Sequence, residues 1–564
     1  MTSALAHAVH RYRPRAARSR AWLIALESVA VFAVTLAIHL TYLSRPTFLD
    51  EMDNMIGGNV VAQGGAVYTD FFSQHMPMAY WLSGVGYAVG FTSFTTQRFF
   101  VYAIFALLLA LLYARNVRVF GRIPMLVVVV LVPMMHDANP ELSYTVLSDN
   151  YQALFGLYLL FEVITMGLRR DSSLRRWAMI ATAAALSFSV AFVSVYYSAA
   201  VIVCAALLSV LNDRHRLTGA RAWFRFVGLR ALVTVVPFLL LVVSIALTGA
   251  LHDAYRQAYV LNRTYYPQYL ADGFGANPLE PFFGGLTAIA TQTFTARGLT
   301  ETFSRELVYQ FAFLVVFLLT CVFVCFVRPV LGVCIFWMGS LTATRGWSGF
   351  HSQPLWAFFV GTAGLMVWLV IAWASQRSTA EARPKGARVM VASLVVAAIA
   401  SVGSYPFART TYENRDQLLT RVVFPNPDRT ALIEALVPPG EAYGELNINN
   451  VYDFVLTRRL PAGGISGVTP WFGDMFDEEM TNRVKSDPPV LFFSDEENLV
   501  WGHVVADHIP LLQAYLKENY TPVSVNAPAV SQGIFIRNDD VQRVLPLLQQ
   551  RFPGTNLPSQ TSPR

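Results

Sequence analysis

Charge is the scarcest property of this sequence. Only 14% of its 564 residues are Asp, Glu, Lys or Arg, against the roughly 25% that soluble domains carry. That deficit, beside a hydrophobic content of 54%, excludes an ordinary soluble domain and leaves a polytopic α-helical membrane protein. Cysteine is nearly as scarce. Cys204, Cys321, Cys325 and Cys334 all fall inside apolar runs, so a disulfide framework is not expected. Cys321 and Cys325 share a helix face. No His or further Cys is spaced to complete a metal site with them, and they read as small apolar helix residues. No nucleic-acid partner is expected.

What the chain has instead is a series of apolar segments, at about 21–43, 99–114, 123–135, 151–168, 177–194, 195–211, 227–250, 307–327, 330–344, 355–374 and 388–405. At roughly 20 residues per crossing they read as about eleven transmembrane helices, with the division inside 177–211 the weakest. The stretch 75–94 is apolar and aromatic but interrupted by Pro77, Gly84, Gly86 and Gly90. It reads as a re-entrant or interfacial helix, or as an extra crossing. Arg11, Arg13, Arg15, Arg18 and Arg20 precede the first run as they would in a secretory signal. That run is long enough to span, and Ser44-Arg45-Pro46 follows it in place of a small-residue cleavage site, so an uncleaved first helix is expected.

Basic residues fix the expected orientation. The N-terminal tail, 115–122, 169–176, 212–226, Arg328 and 375–388 are rich in Arg and poor in acids. They alternate with the other connections, which puts the N-terminus inside and the C-terminus outside a cell (inner or plasma) membrane. The outer set holds the unusual polar residues: an outer loop at 44–98, His136-Asp137, Asp149, a second large loop at 251–306, and 345–353. The predicted plan is a basic tail (1–20), a membrane domain (21–405), an outer α/β domain (406–552) and a disordered tail (553–564). In the outer domain, strands are expected near 442–448, 453–456, 490–494, 521–525 and 533–537, and helices near 428–436, 475–485, 505–518 and 540–551. It contains no P-loop, dinucleotide-binding glycine pattern or zinc spacing.

Chemistry concentrates in 48–77, FLDEMDNMIGGNVVAQGGAVYTDFFSQHMP. Asp50, Glu51 and Asp53 stand close together, and Asp70 and His75 follow in the same loop. As a helix, 49–61 places Leu49, Met52, Met55, Ile56 and Val60 on one arc, with Asp50, Asp53, Asn54 and Gly57 on the other. Such a helix could lie along the membrane surface with its acids facing a cavity. Thr47 followed by Asp50 also has the form of a capping box, which accounts for an acid at a helix start but not for three acids, a glycine-rich turn and a histidine. Asp50 and Asp53, with His351 or His252, could hold Mg²⁺ or Mn²⁺. Arg256, Arg263, Arg297 and Arg345 in the outer connections are candidates for phosphate contacts or for pairing with lipid headgroups. Tyr255, Tyr259, Tyr265, Tyr266 and Tyr269 read as an interfacial belt, or as rings stacking on a sugar. Glu27, His39 and Glu162, inside apolar helices, are expected to snorkel towards an interface.

Asp50-Glu51, Gly64-Gly65, Tyr68, Asp70-Phe71-Phe72 and His75-Met76-Pro77 after a first transmembrane helix resemble the GT-C superfamily of membrane glycosyltransferases. The nearest branch in pattern holds protein O-mannosyltransferases and the lipid A aminoarabinose transferase. Arg345 with Phe350-His351-Ser352-Gln353-Pro354 before a late helix adds to the resemblance, as does the overall plan. The resemblance implies a polyprenyl-phosphate-linked sugar as donor and a glycan, lipid or protein acceptor on the outer face. It implies Asp50 as general base, with Glu51 orienting the acceptor or supporting Asp50. Arg345, His351 and Arg263 would meet the donor phosphate, and Asp53, Tyr68, Asp70, His75 and Tyr265 would line the substrate cavity. A phosphate leaving group needs no strong general acid, so one carboxylate suffices for a single inverting displacement. No cofactor and no metal are expected for that branch. The rival readings are a lipid or sugar transporter or flippase, which usually carries internal repeats and mid-membrane polar sites, and a non-catalytic envelope-assembly protein.

Overall fold

The computed structural model describes residues 21–41, 43–44, 49–138, 147–269, 308–342, 353–375, 385–413, 415–416, 427–495, 497–525 and 533–557. Within the described residues, each of the eleven apolar segments falls largely on a helix. Among the described residues, seven helices are long and apolar enough to cross a membrane: Ala21–Leu40, Phe94–Phe120, Ser148–Arg169, Ser194–Arg216, Ala220–Leu247, Gln353–Ala374 and Gly386–Glu413. Arg122–Met135, Phe311–Val327 and Pro329–Thr342 are shorter apolar helices. Contacts divide the chain into two compact units.

The first unit comprises Met1–Ser44, Val101–Val242 and Asn277–Thr420. Its centre is Gln353–Ala374, buried on almost every side. Glycines allow the close approach: a Cβ on Gly361 would stand 2.7 Å from Leu160, and one on Gly364 would collide with Val128. The ionisable residues of this unit that were expected to snorkel have contacts on neighbouring helices. Glu162 is buried and paired with Arg115 and Arg176, Glu27 binds Arg122 at 2.7 Å, and His39 is buried against Tyr102 with ring centroids 4.7 Å apart. Neighbouring helices supply these contacts.

The second unit comprises Arg45–Phe100, Val243–Ala276 and Arg421–Arg564. The polar segments assigned from sequence to the membrane domain thus cluster with the C-terminal α/β domain. The reason is apolar burial: Phe72 and Leu261 enter the core of Leu446, Ile465, Trp471, Phe476 and Phe492, and Tyr265, Tyr266 and Tyr269 pack against it. The domain holds a five-stranded sheet in the order β2-β1-β3-β7-β6, with β1 Ala442–Glu445, β2 Leu460–Ser466, β3 Leu491–Phe493, β6 Tyr520–Val523 and β7 Ile534–Arg537. β1 runs parallel to β2 and β3, while β7 is antiparallel to β3 and β6. A separate hairpin pairs β4 Leu499–Val500 with β5 His503–Val504.

The helices expected in this domain are present, and four of the five expected strands. The stretch 453–456 is helical instead, within Tyr452–Thr457. Its short apolar run fits either state, and Asp453 decides it by accepting from Arg429 and Thr430 across the fold. β2 escapes a propensity reading because its sequence, LPAGGIS, is poor in strand formers. Gly463 and Gly464 in it have φ of +60° and +78°, and its register against β1 is irregular. The 75–94 stretch forms a helix only over Met78–Ala88. Eleven residues reach roughly 16 Å, too short for a crossing of about 30 Å.

Candidate functional site

The acidic stretch folds as the helix Leu49–Ala62, within a residue of the sequence expectation. Its surroundings differ from that expectation. Met52, Met55, Ile56 and Val60 are buried, but so are Glu51, Asn54, Gly57 and Gly58. The Met78–Ala88 helix covers the side that was expected to face a cavity. A Cβ on Gly57 would collide with the Tyr80 ring, and one on Gly58 would lie 2.5 Å from Ser83. Two bare glycines therefore let the helices touch. Leu49, Asp50 and Asp53, in its first turns, are less deeply buried than the residues at 54–60. Asp50 and Asp53, three residues apart, share a face.

The three acids have separate environments. Glu51 is 1% exposed and locked in a fork with Arg98, Nε to Oε1 and Nη2 to Oε2 both at 2.7 Å. The Arg98 guanidinium also lies 4.2 Å from the centroid of the Phe94 ring. Glu51 is therefore inaccessible to an acceptor, and its place is to position the helix. Asp53 accepts from the Tyr80 hydroxyl at 2.5 Å, and Tyr80 in turn meets Ser73 Oγ. Desolvation pushes the Asp53 carboxyl up to about 6, with the Asp50 charge adding to the rise and His75 and Tyr80 opposing it. Asp50 is coupled to Asp53 by that charge. Asn54, one turn beyond Asp50, is buried with its amide oxygen unpartnered.

The loop carrying His75 is pinned from several directions. Tyr68, buried at φ +75°, donates its hydroxyl to the His75 carbonyl at 2.7 Å. Gln257 bridges the loop, accepting from Ser73 N at 2.9 Å and donating to the Tyr68 carbonyl at 2.8 Å. Asn262 donates to the Gln74 carbonyl at 2.7 Å, and Trp471 Nε1 to the Gln74 side chain at 2.8 Å. Half-buried His75 is thereby held where its charge acts on Asp53.

The contacts of the other expected site residues are as follows. Asp70 is exposed and closes the turn around Tyr68, accepting from Ala66 N at 2.7 Å. Tyr265 packs against the α/β core. Arg256 binds Glu479 at 2.8 Å beside Phe476. Arg263 is exposed on the π-helix Tyr255–Tyr265. Arg345, His351 and Arg297 lie outside the described residues, so the donor-phosphate contacts and the His351 arm of a metal site do too. Among the described residues no three His, Cys, Asp or Glu side chains converge to hold a metal. Sequence reasoning missed Arg98, Tyr80, Ser73 and Gln257. Arg98 had a legible signal, since an arginine opening an apolar helix needs a counter-ion. No protein-family model matches the sequence, and no curated protein matches it.

Proposed function

We propose that this chain is a membrane glycosyltransferase of GT-C type that moves a sugar from a polyprenyl-phosphate donor to an acceptor hydroxyl. About eleven crossings place the N-terminus in the cytoplasm and the acidic helix and α/β domain on the outer face. Asp50 takes the acceptor's proton as the hydroxyl attacks the anomeric carbon, the bond to phosphate breaks, and the anomeric centre inverts. Glu51 does not touch substrate in this mechanism. It anchors the helix through Arg98.

The observation that carries the reading is the division of labour among three carboxylates on one helical turn: one ion-paired and buried, one raised to about 6, and one partly buried beside it. Groups whose environments separate their protonation behaviour mark acid–base chemistry. The charges of Asp53 and Asp50 act on one another across this helical turn. The neighbouring His75 and the Tyr80–Ser73 pair stabilise the negative charge of Asp53.

The test is transfer of labelled sugar from polyprenyl-phosphate donors in membranes. Asp50→Asn is expected to lower the rate by about 10²-fold or more. Equal transfer by variant and parent would remove Asp50 as the base. Transfer is expected to survive EDTA, and loss on chelation with recovery on added Mn²⁺ would restore the metal alternative at Asp50 and Asp53.

A further inference from the structure

The β4–β5 hairpin turns on two residues, Trp501 and Gly502, with φ of +51° and +85°. Such a turn favours Asn, Asp or Gly in the first position, and a bulky side chain there is strained. Burial does not offset the strain, because Trp501 is 54% exposed. The ring stands over an aromatic floor, with centroids 4.7 Å from Trp471 and 5.7 Å from Tyr266. A stabler turn residue would remove this open ring.

Polar groups rim the floor. Tyr269, 5.9 Å from Trp471, donates its hydroxyl to Asp474 and lies 3.2 Å from His508 Nδ1. His508 Nδ1 is 2.7 Å from the other Asp474 oxygen, which leaves Nε2 as the nitrogen the imidazole offers outward. Exposed His503 stacks edge-on to Tyr269 at 4.9 Å and lies 5.9 Å from His508. An open aromatic face attracts the weakly positive C–H face of a sugar ring, and carboxylate and imidazole groups at its edge match hydroxyls in both donor and acceptor roles. The charge of Asp474 disfavours acidic sugars, and a charged rim does not suit an acyl chain. The cluster is also joined to the candidate site, since Trp471 holds Gln74, the neighbour of His75.

We propose that Trp501, on its floor of Trp471 and Tyr266 with Asp474, His503 and His508 at the rim, is a binding subsite for a neutral sugar unit of a glycan. Its role as an acceptor subsite rests on the transferase reading; its binding of sugar does not. The full chain in lipid nanodiscs is titrated with neutral oligosaccharides built from arabinose, mannose or glucose, and with a uronic-acid oligosaccharide as control. Binding is read by saturation-transfer NMR on the sugar. At least one neutral series is expected to bind, and Trp501→Asn, which suits the left-handed turn, is expected to weaken it at least about tenfold with an unchanged or higher Tm. Absence of neutral-sugar binding, preference for the uronic control, or binding unaffected by Trp501→Asn overturns the proposal. Donor turnover by the parent chain is measured separately. Trp501-dependent binding without turnover sinks the transferase reading alone, and turnover without Trp501-dependent binding sinks the subsite alone.

Discussion

Asp53 makes a quantitative prediction because its sign is unusual for a carboxylate. Its native pKa is about 6, against 3.8 when solvated. The folded protein therefore holds the Asp53 proton more tightly than the unfolded chain, and the wild type loses stability as pH rises from about 4 to about 6. Once Asp53 is ionised, at neutral pH, the accumulated penalty is about 3 kcal/mol. Asp53→Asn removes it. The amide oxygen still accepts from Tyr80, but a neutral bond is weaker than a charge-assisted one by about 1 kcal/mol. The net expectation is a variant about 2 kcal/mol more stable than the parent at neutral pH, with the advantage shrinking to nothing or reversing below pH 4. Thermal unfolding of purified protein in detergent across pH 4 to 8 measures this as a Tm difference that opens between about 4 and 6 and then stays constant. A variant less stable than the parent at pH 7.5, or a Tm difference that does not change with pH, would refute the argument. The same ionisation gives the transferase reading a pH dependence: transfer rises through pH about 6 in the parent, and that inflection is lost in Asp53→Asn.

Three further outcomes follow from named contacts. Glu51→Gln or Arg98→Met alone breaks the buried Arg98–Glu51 pair and is expected to cost about 3–5 kcal/mol, whereas Glu51→Met combined with Arg98→Met should recover part of the loss; Tm of the four proteins tests this, and two harmless single variants would contradict it. Arg429→Met strands Asp453 and Glu445, both buried against that guanidinium, and should destabilise the α/β domain by about 3–5 kcal/mol, read as new protease cleavage within 427–557. Gly464→Ala puts a Cβ 2.7 Å from the Asp70 carbonyl oxygen at φ +78° and should destabilise by about 2 kcal/mol or more, with faster cleavage in 66–72; an unchanged cleavage pattern would count against the Phe72–Gly464 link.

Periodicity and hydropathy made much of the architecture legible. The acidic helix, the largely helical character of the eleven apolar segments and the alternation of the C-terminal domain follow from patterns within a dozen residues. Residues 453–456 misled, and the strand at 460–466 escaped notice, because their states are set by partners outside the segment. Asp453 is fixed by Arg429, and the glycines of β2 are positioned by its neighbours, the loop at Asp70 among them. The site was legible in its acids but not in their roles. A helical wheel places Asp50 and Asp53 on one arc correctly, yet it cannot know that Gly57 and Gly58 admit a second helix against that side.

The partners of the acidic stretch span most of the chain. Asp53 is set by Tyr80, 27 residues on, and Glu51 by Arg98, 47 residues on. The His75 loop is set by Gln257 and Trp471, 184 and 397 residues from their contacts. Each link sits in the unit that also contains the α/β domain. An independent C-terminal domain would not supply a hydrogen bond to the residue beside His75. The C-terminal domain is therefore part of the wall of the candidate site. Its Trp471 both fixes the loop that sets the charge near Asp53 and floors the open Trp501 ring. Losing the Trp471 indole should consequently disturb two measurements together, the pH inflection of transfer and the binding of neutral glycans, whereas Trp501→Asn should disturb only the second.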